Sequence, residues 1–434
     1  MKRFLVQAAR AAKVDLEALE FGLRAVMLAA GARALEALVA GVGSGRRGEP
    51  ALCSCGRQME SRGQEPKRIR TILGAIGYRR SRYVCPDCGA SRFPGDEALD
   101  VVGTGFSPGL RRLMARAGSR DTFKEGREDL REYAGVEVTA KDVERVAEKT
   151  GKEIAAWQEQ ERTAVREAFP LLKPPAEIPV LSVSYDGTGI PMVPWEVAGR
   201  KGKQTDGSAK TREAKLGCVF TQTGVDAEGW PVRDEASTSF VGAIEGCETF
   251  GERMHGEAVR RGLARAEKVV VIGDGAKWIW ELAALHFPGA VEIVDLYHAR
   301  QHLHQVCGLV NRRAGETVAG LELRWRTDLD EGKVEKILAE AEARLPRSGA
   351  RRKAVKTELG YFRTNAARMR YAEFRDQDLF VGSGVVEAGC KTVIGKRLKQ
   401  SGMEWTVAGA NAILALRCCQ VSGRIEEFWE QRTG

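Results

Sequence analysis

The sequence predicts a multidomain α/β protein, and three observations carry that expectation. Apolar periodicity changes along the chain from helical spacing to short β-branched runs and back. A Pro-rich segment, "FPLLKPPAEIP" (Phe169 to Pro179), separates the two regimes. Four cysteines stand in two close pairs toward the N-terminal end. A chain of 434 residues is long enough for two to four domains, each with its own core. A hydrophobic content of 43% and a charged content of 29% are globular proportions and exclude wholesale disorder.

Residues 1–50 read as N-terminal helices. Arg, Leu and Ala recur at helical spacing through residues 4–42, which predicts two helices joined near "AAGA" (Ala29 to Ala32). The stretch from Ala25 to Gly43 carries Arg33 and Glu36, so it is expected to be an amphipathic helix serving packing or self-association, not a membrane span. No secretory signal is visible, which predicts an intracellular protein with reduced cysteines.

Residues 51–103 read as a zinc-ribbon-like module. Cys53 and Cys55 form one pair and Cys85 and Cys88 the other, as "CSC" and "CPDC". Two such pairs suit a tetrahedral Zn²⁺ site. The first is C-x-C, which demands a tighter knuckle than C-x-x-C, and four unrelated thiols are the alternative. The intervening "RIRTILGAIGYRRSRYV" has the β-formers and glycine turn of a hairpin. Cys218, Cys247, Cys307, Cys390, Cys418 and Cys419 lie in apolar or helical contexts and are expected to be buried.

Residues 104–170 read as a helix-turn-helix region. "SPGLRRLMARAG" begins with a Ser-Pro start signal. A helix, a turn around "AGVEVT" and a second helix capped by Thr139 follow. The second helix carries Lys141, Arg145 and Lys149, as a DNA-reading helix would. An ordinary helical hairpin fits the same pattern.

The net charge is +9 and is unevenly spread. Between Gly56 and Arg82 eight basic residues, among them Lys67, Arg68, Arg70, Arg79, Arg80 and Arg82, face two acids. Between Arg200 and Lys215 six, including Lys201 and Lys203, face two. Several such patches suit a polyanion, and nucleic acid in particular.

Beyond the Pro-rich boundary, "VLSVSYDGTG", "KLGCVFTQTG", "STSFVGAI", "KVVVIGDGA" and "GAVEIVDLY" are five strand-like runs, with helices after the fourth and fifth. Residues 314–369 return to helical composition, and "VGSGVVEAGCKTVIGKRLKQSG" starts another helix. This order suggests a mixed sheet of the ribonuclease H kind over residues 178–311 and 381–434, interrupted by a helical insertion over 312–380.

Asp274 ends a buried strand between two glycines, and Asp186 repeats the arrangement. An acid at the carboxyl end of a strand is a candidate functional carboxylate, though Asp274 also suits a helix cap and either acid a turn. Glu387, in the first turn of a late helix, is a third candidate. Three converging carboxylates suit two Mg²⁺ ions about 3.5–4 Å apart, which activate an attacking oxygen and stabilise a leaving one in phosphodiester cleavage.

"SYDGTGIPM", "GDGAKWIW", "IVDLYHARQHL" and "GSGVVEAGCKTVIGKRLKQSGMEWT" closely resemble the bacterial ISKra-type insertion-sequence transposases, relatives of the Mutator-like DDE transposases. The similarity extends over most of the chain. It implies an RNase H-like catalytic domain whose acidic triad falls on Asp186, Asp274 and Glu387. It adds an Asp-x-x-His motif at Asp295 and His298, where the histidine positions the scissile phosphate or a proton, or simply orients its helix.

The expected activity is cleavage of double-stranded DNA at the element's ends and strand transfer into target DNA. Asp186 and Asp274 hold Mg²⁺ (or Mn²⁺), with Glu387 completing the second ion's coordination. Lys391, Lys396, Arg397 and Lys399 clamp phosphate, while the zinc module and helix-turn-helix read the element's ends. Joining two ends implies a homodimer or larger assembly, in the cytoplasm on the bacterial nucleoid. The alternatives are an RNase H-like nuclease without strand transfer, and a transposase-derived DNA-binding regulator.

Overall fold

A computed structural model of the chain describes residues 15–46, 51–167, 177–202 and 204–433. They fall into two compact units, 1–148 and 149–434. In the first, helix α1 (Leu16–Val42) is capped by Asp15, whose carboxylate accepts the Ala18 N–H. The expected break near Ala29–Ala32 is absent: α1 runs through it, because alanines and a single glycine do not disfavour helix enough to stop it. The earlier helix, over residues 4–14, lies outside the described residues.

α1 is not amphipathic either. Ala32 and Val39 pack with Ile69, Ile76 and Tyr78, but Phe21, Leu23, Met27, Leu38 and Val42 are exposed. Among the described residues it is the one helix long and apolar enough to cross a membrane by length and composition.

The predicted hairpin is present: β1 (Glu60–Thr71) pairs antiparallel with β2 (Gly74–Val84), and β3 (Ser91–Arg92) adds to β2. A short helix over Pro94–Ala98 and three longer ones follow. α2 (Pro108–Arg120) is capped by Ser107, α3 (Phe123–Ala134) by Thr122, and α4 (Ala140–Glu167) begins after Thr139, whose hydroxyl accepts the Asp142 N–H. Leu110, Met114, Leu130, Val136, Val143 and Val146 form their common core. From Lys149 onward α4 packs within the second unit. Arg424 there pairs with Glu161 at 2.7 Å and lies 4.4 Å from the centre of the Trp157 ring.

The second unit is built on a five-stranded sheet of β4 (Ile178–Pro191), β5 (Thr211–Gln222), β6 (Ser239–Ala243), β7 (Ala266–Gly273) and β8 (Val291–Val294), in spatial order β8-β7-β4-β5-β6. β4, β7 and β8 are parallel; β5 runs antiparallel to both of its neighbours. All five strands coincide with the predicted runs. Helix α5 (Cys247–Arg260), after the third strand, was not predicted. Its two interior glycines weaken the helical signal but permit close packing: a Cβ at Gly251 would meet Leu282, and one at Gly256 would meet Arg162.

Helices α6 (Lys277–His286) and α7 (Leu296–Leu309) follow the fourth and fifth strands as expected. The helical insertion contains α8 (Val318–Asp330), α9 (Val334–Glu342) and α10 (Gly349–Asn365), followed by a short helix over Tyr371–Arg375. It does not form a separate core. Leu321, Trp325, Ile337, Leu359 and Phe362 belong to the same buried cluster as Val183, Val271 and Ile293 of the sheet.

Helix α11 (Gly384–Gly389) continues as a π-helical turn (Cys390–Gly395), and α12 (Val407–Val421) and α13 (Ile425–Thr433) close the fold. Because insertion and sheet share one core, Trp325→Ala is expected to cost about 3–5 kcal/mol. The same substitution should lower hydrogen-exchange protection of β4 and β7 amides. Urea unfolding with amide exchange checks both.

Candidate active site

β4 and β7 are paired so that Ser184 stands beside Ile272. Two residues further along each strand direction come Asp186 and Asp274, and side chains two apart share a face. Asp186 lies inside β4, opposite Leu216 of β5, and Asp274 lies one residue past the end of the adjacent strand β7; among the described residues neither belongs to a compact cluster of ligand-type atoms. Each uses one oxygen locally: Asp186 accepts the Gly187 N–H at 2.7 Å, and Asp274 accepts the Ala276 N–H at 2.8 Å. Asp274 is therefore not the cap of α6, which begins after Ala276 with no side-chain cap.

The turn after Asp274 needs its glycine. Gly275 has φ +99°, and a Cβ there would lie 2.5 Å from the Tyr361 ring. The Tyr361 hydroxyl donates to the Asp274 carbonyl at 2.9 Å, holding the turn against α10.

Glu387 arrives from the far end of the chain. α11 packs over β4 and β5. Glu387 Oε1 accepts the Ser383 hydroxyl at 3.3 Å, and one turn later the Cys390 thiol bonds Asp186. Burial first, and the Asp186 charge second, push that thiol's pKa well up. Cys390 is thus half-buried at the site, not merely a small hydrophobe of the core.

Asp295 sets this arrangement. It is fully buried, caps α7 through the His298 N–H at 2.6 Å, and its other oxygen accepts the Ser383 N–H. Ligand-type atoms of Asp295, His298 and Glu387 lie within 4.8 Å of one another. Burial pushes the Asp295 carboxyl up, but hydrogen bonds from His298 and Ser383 outweigh it and hold the group below its ordinary range. His298 is raised, chiefly by its bond to Asp295 against the opposing effect of burial, and further by the charges of Asp295, Asp274 and Glu387.

The sequence-predicted cations divide into two sets. Lys391, Lys396 and Lys399 are exposed beyond Glu387, with Lys399 bonded to Thr188; Lys201 is exposed on its loop, and Lys203 lies outside the described residues. Arg397 is fully buried, 4.9 Å from the centre of the Trp405 ring, so it is a packing residue and no phosphate clamp.

In the first unit Lys67 and Arg80 converge with the Tyr78 hydroxyl on the buried carboxylate of Asp96, and they too leave the set of surface cations. Arg82 pairs with Glu65 at 2.9 Å, while Arg68, Arg70 and Arg79 are exposed. Lys141 and Arg145 are exposed along α4, paired with Glu144 and Asp142.

The four cysteines of the first unit do meet. Cys53 and Cys88 sulfurs are 3.5 Å apart, and those of Cys55 and Cys85 are 3.6 Å apart. A tetrahedron with metal–sulfur bonds of about 2.3 Å has edges of about 3.8 Å, so the set has metal-binding dimensions. Gly56 and Gly89, both at positive φ, close the C-x-C and C-x-x-C knuckles alike, and Arg57 pairs with Asp87 across them at 2.7 Å. Hydrogen bonds from the Cys55 backbone and the Cys88 thiol lower the Cys53 pKa to about 6.

Residues 261–432 match an Uncharacterised protein family (UPF0236), a stretch that contains Asp274, Asp295, His298 and Glu387 but not Asp186. No curated protein matches the chain in sequence. Among solved structures, the Drosophila P element transposase strand transfer complex is similar over 75% of this chain and 88% of that one, at 8% identity and a TM-score of 0.18. So slight a likeness carries no argument about fold or function.

Asp295→Asn keeps a capping side chain but offers one acceptor oxygen where two backbone N–H groups need one each. A stability loss of about 1–3 kcal/mol is expected. His298 should titrate lower in this variant, its largest raising influence being gone. A raised folded-state pKa stabilises below the unfolded value and loses that contribution as pH rises through the raised one. Metal-free wild-type protein should therefore lose stability across that window, and the variant should lose less. NMR titration of the histidines and denaturation at several pH values test this.

Proposed function

We propose that the chain is a DDE transposase that cuts DNA at the ends of an insertion sequence and transfers the freed strand to target DNA. The observation that carries this reading is that Asp186 on β4 and Asp274 just past the end of the adjacent parallel strand β7 belong to one sheet, with the helix that carries Glu387, α11, packed on β4 and β5. The sheet order, with its one antiparallel strand between β4 and β6, supports assignment to the RNase H-like class. In this reading residues 178–311 and 381–434 form the catalytic domain around the 312–380 insertion. Residues 51–103 and 104–170 form the zinc-ribbon-like and helix-turn-helix modules behind residues 1–50.

The donor set suits a hard divalent cation such as Mg²⁺ or Mn²⁺. Asp274 retains one oxygen outside its local hydrogen bond, Asp186 meets the Gly187 N–H and the Cys390 thiol, and with Glu387 they would hold it. Asp295 spends both oxygens on backbone N–H groups, so it is a positioning residue. Bound divalent cations supply activation of the attacking oxygen and charge neutralisation at the leaving one.

The chain's own residues do the rest. His298, its pKa raised chiefly by Asp295, lies beside Asp295 and Glu387 and is placed to position a phosphate or a proton there. Lys391, Lys396 and Lys399 hold the DNA backbone against the same face. In the first step water adds to phosphorus and the bond to the 3′-oxygen breaks. In the second that 3′-hydroxyl adds to a target phosphodiester and displaces the target's own 3′-oxygen. The site acts on two ends at once in a homodimer or larger assembly, on double-stranded DNA at the bacterial nucleoid. Zn²⁺ in the four-cysteine cluster would keep the first unit's knuckles together.

Purified protein incubated with Mg²⁺ and a plasmid carrying the gene's flanking DNA should yield defined 3′ ends and joined products, read by sequencing. Asp274→Asn should lower both by about a thousandfold, the several kcal/mol that metal-assisted catalysis supplies, and leave DNA binding intact. Cuts without joining would identify a nuclease; binding without Asp274-dependent products would identify a regulator. For the cluster, native protein should carry stoichiometric zinc, and Cys85→Ser should release it and unfold the β1–β2 hairpin. Metal analysis and circular dichroism measure these.

A further inference from the structure

Beside the acids lies a cleft of ≈ 500 Å³ that the proposed chemistry leaves unused. We infer that it binds a single unstacked nucleobase of the DNA strand being processed. The inference rests on the DNA-processing reading above and adds a site that reading does not require.

Two large aromatic rings stand in the open at its mouth. Trp230 is 58% exposed on a short ribbon after β5, and Tyr297 is 58% exposed in the first turn of α7. Surface exposure on that scale is unexplained by packing, whereas base-stacking platforms require it. Deeper in, Phe380 is fixed edge-to-face on Phe220 at 5.5 Å and gives the cleft an apolar wall.

The cleft also carries charge suited to a nucleotide. Arg300 lies 5.7 Å from the Tyr297 ring centre but is neutralised by Asp330. Arg375 is different: its guanidinium donates to the Asp330 carbonyl at 3.0 Å, and its Nε is buried without a hydrogen-bond partner. A cation within an aromatic cleft suits a base with its phosphate attached. The volume falls within the usual range for small-ligand pockets.

Position ties the cleft to the acids. Gly382 lines it, and a Cβ at that residue would lie 3.1 Å from Tyr297 and 3.7 Å from the Asp295 carboxylate. The next residue, Ser383, bonds both Asp295 and Glu387. Tyr297 stands two residues after the cap Asp295 and immediately before His298. A strand whose phosphate sits at the acids therefore has an adjacent nucleotide within reach of the rings. Pulling that base from the duplex costs a few kcal/mol, which stacking on two aromatic faces offsets.

The test compares full-length wild type, Trp230→Ala, Tyr297→Ala and Trp230→Phe. Each binds the gene's flanking DNA as a blunt duplex, as a forked duplex with a short unpaired arm, and as the same fork with abasic arm nucleotides. Wild type is expected to prefer the fork over its abasic counterpart by about tenfold, the value of one stacked base. Each alanine variant should lose that preference, with blunt-duplex affinity unchanged; Trp230→Phe should keep most of it.

Alanine effects that persist on abasic DNA, that weaken blunt duplex equally, or that are absent would overturn the cleft assignment, as would failure to bind any of the DNAs. Asp274→Asn runs alongside. A retained fork preference with no cleavage by wild type would sink the transposase reading and spare the cleft.

Discussion

The second unit depends on one buried carboxylate. Asp295 receives its cap bond from the His298 N–H, takes the Ser383 N–H on its other oxygen, and donates its own N–H to the Gly273 carbonyl at 2.8 Å. Leu296 adds an N–H bond to the Val381 carbonyl at 2.9 Å. Three segments far apart in sequence are thereby joined: the end of β7, the start of α7 and the loop that opens α11. A buried charge is tolerated only where its hydrogen bonds are satisfied, and here each bond fixes a different piece of the site.

Asp186, Asp274 and Glu387 are each tied to a backbone or hydroxyl donor, so their positions do not depend on one another. The His298 pKa is raised chiefly by its bond to Asp295 and further by the charges of Asp295, Asp274 and Glu387. The π-helical turn at Cys390–Gly395 follows Glu387 directly, and such turns widen a helix locally at functional places. It sets Cys390 on Asp186 while leaving Lys391 and Lys396 at the surface.

The helical insertion is part of the same body. Trp325 is fully buried, its indole N–H donates to Glu340 at 3.2 Å, and Arg344 lies 5.4 Å from its ring centre. Tyr361, on the insertion's last long helix, reaches the Asp274 carbonyl, so the insertion supports the turn after β7 directly. The first unit follows the same economy on a smaller scale, with Asp96 gathering Lys67, Arg80 and Tyr78 into one buried cluster.

The five strands, the paired cysteines, the Thr139 cap and the strand-end placement of Asp274 were legible in the sequence because their signals are local, whereas Asp186, expected at a strand end, lies inside β4, which runs on to Pro191. β-branched runs, closely spaced thiols and flanking glycines act within a few residues. Glu387 was legible as a residue but not as a neighbour, since its approach depends on a bond from Asp295 to Ser383 across 88 positions.

Composition could not separate the surface cations from Arg397, Lys67 and Arg80, because burial of a cation is decided by the acid or ring that meets it. Nor could it show the glycine-bearing helix α5, whose stability comes from close packing on its neighbours. The cleft of Trp230, Tyr297 and Arg375 has no motif, since its walls come from separate segments that only the folded sheet and its helices bring together. Residue type and short spacing determined the chemistry available to this chain; packing between distant segments decided which groups share a site.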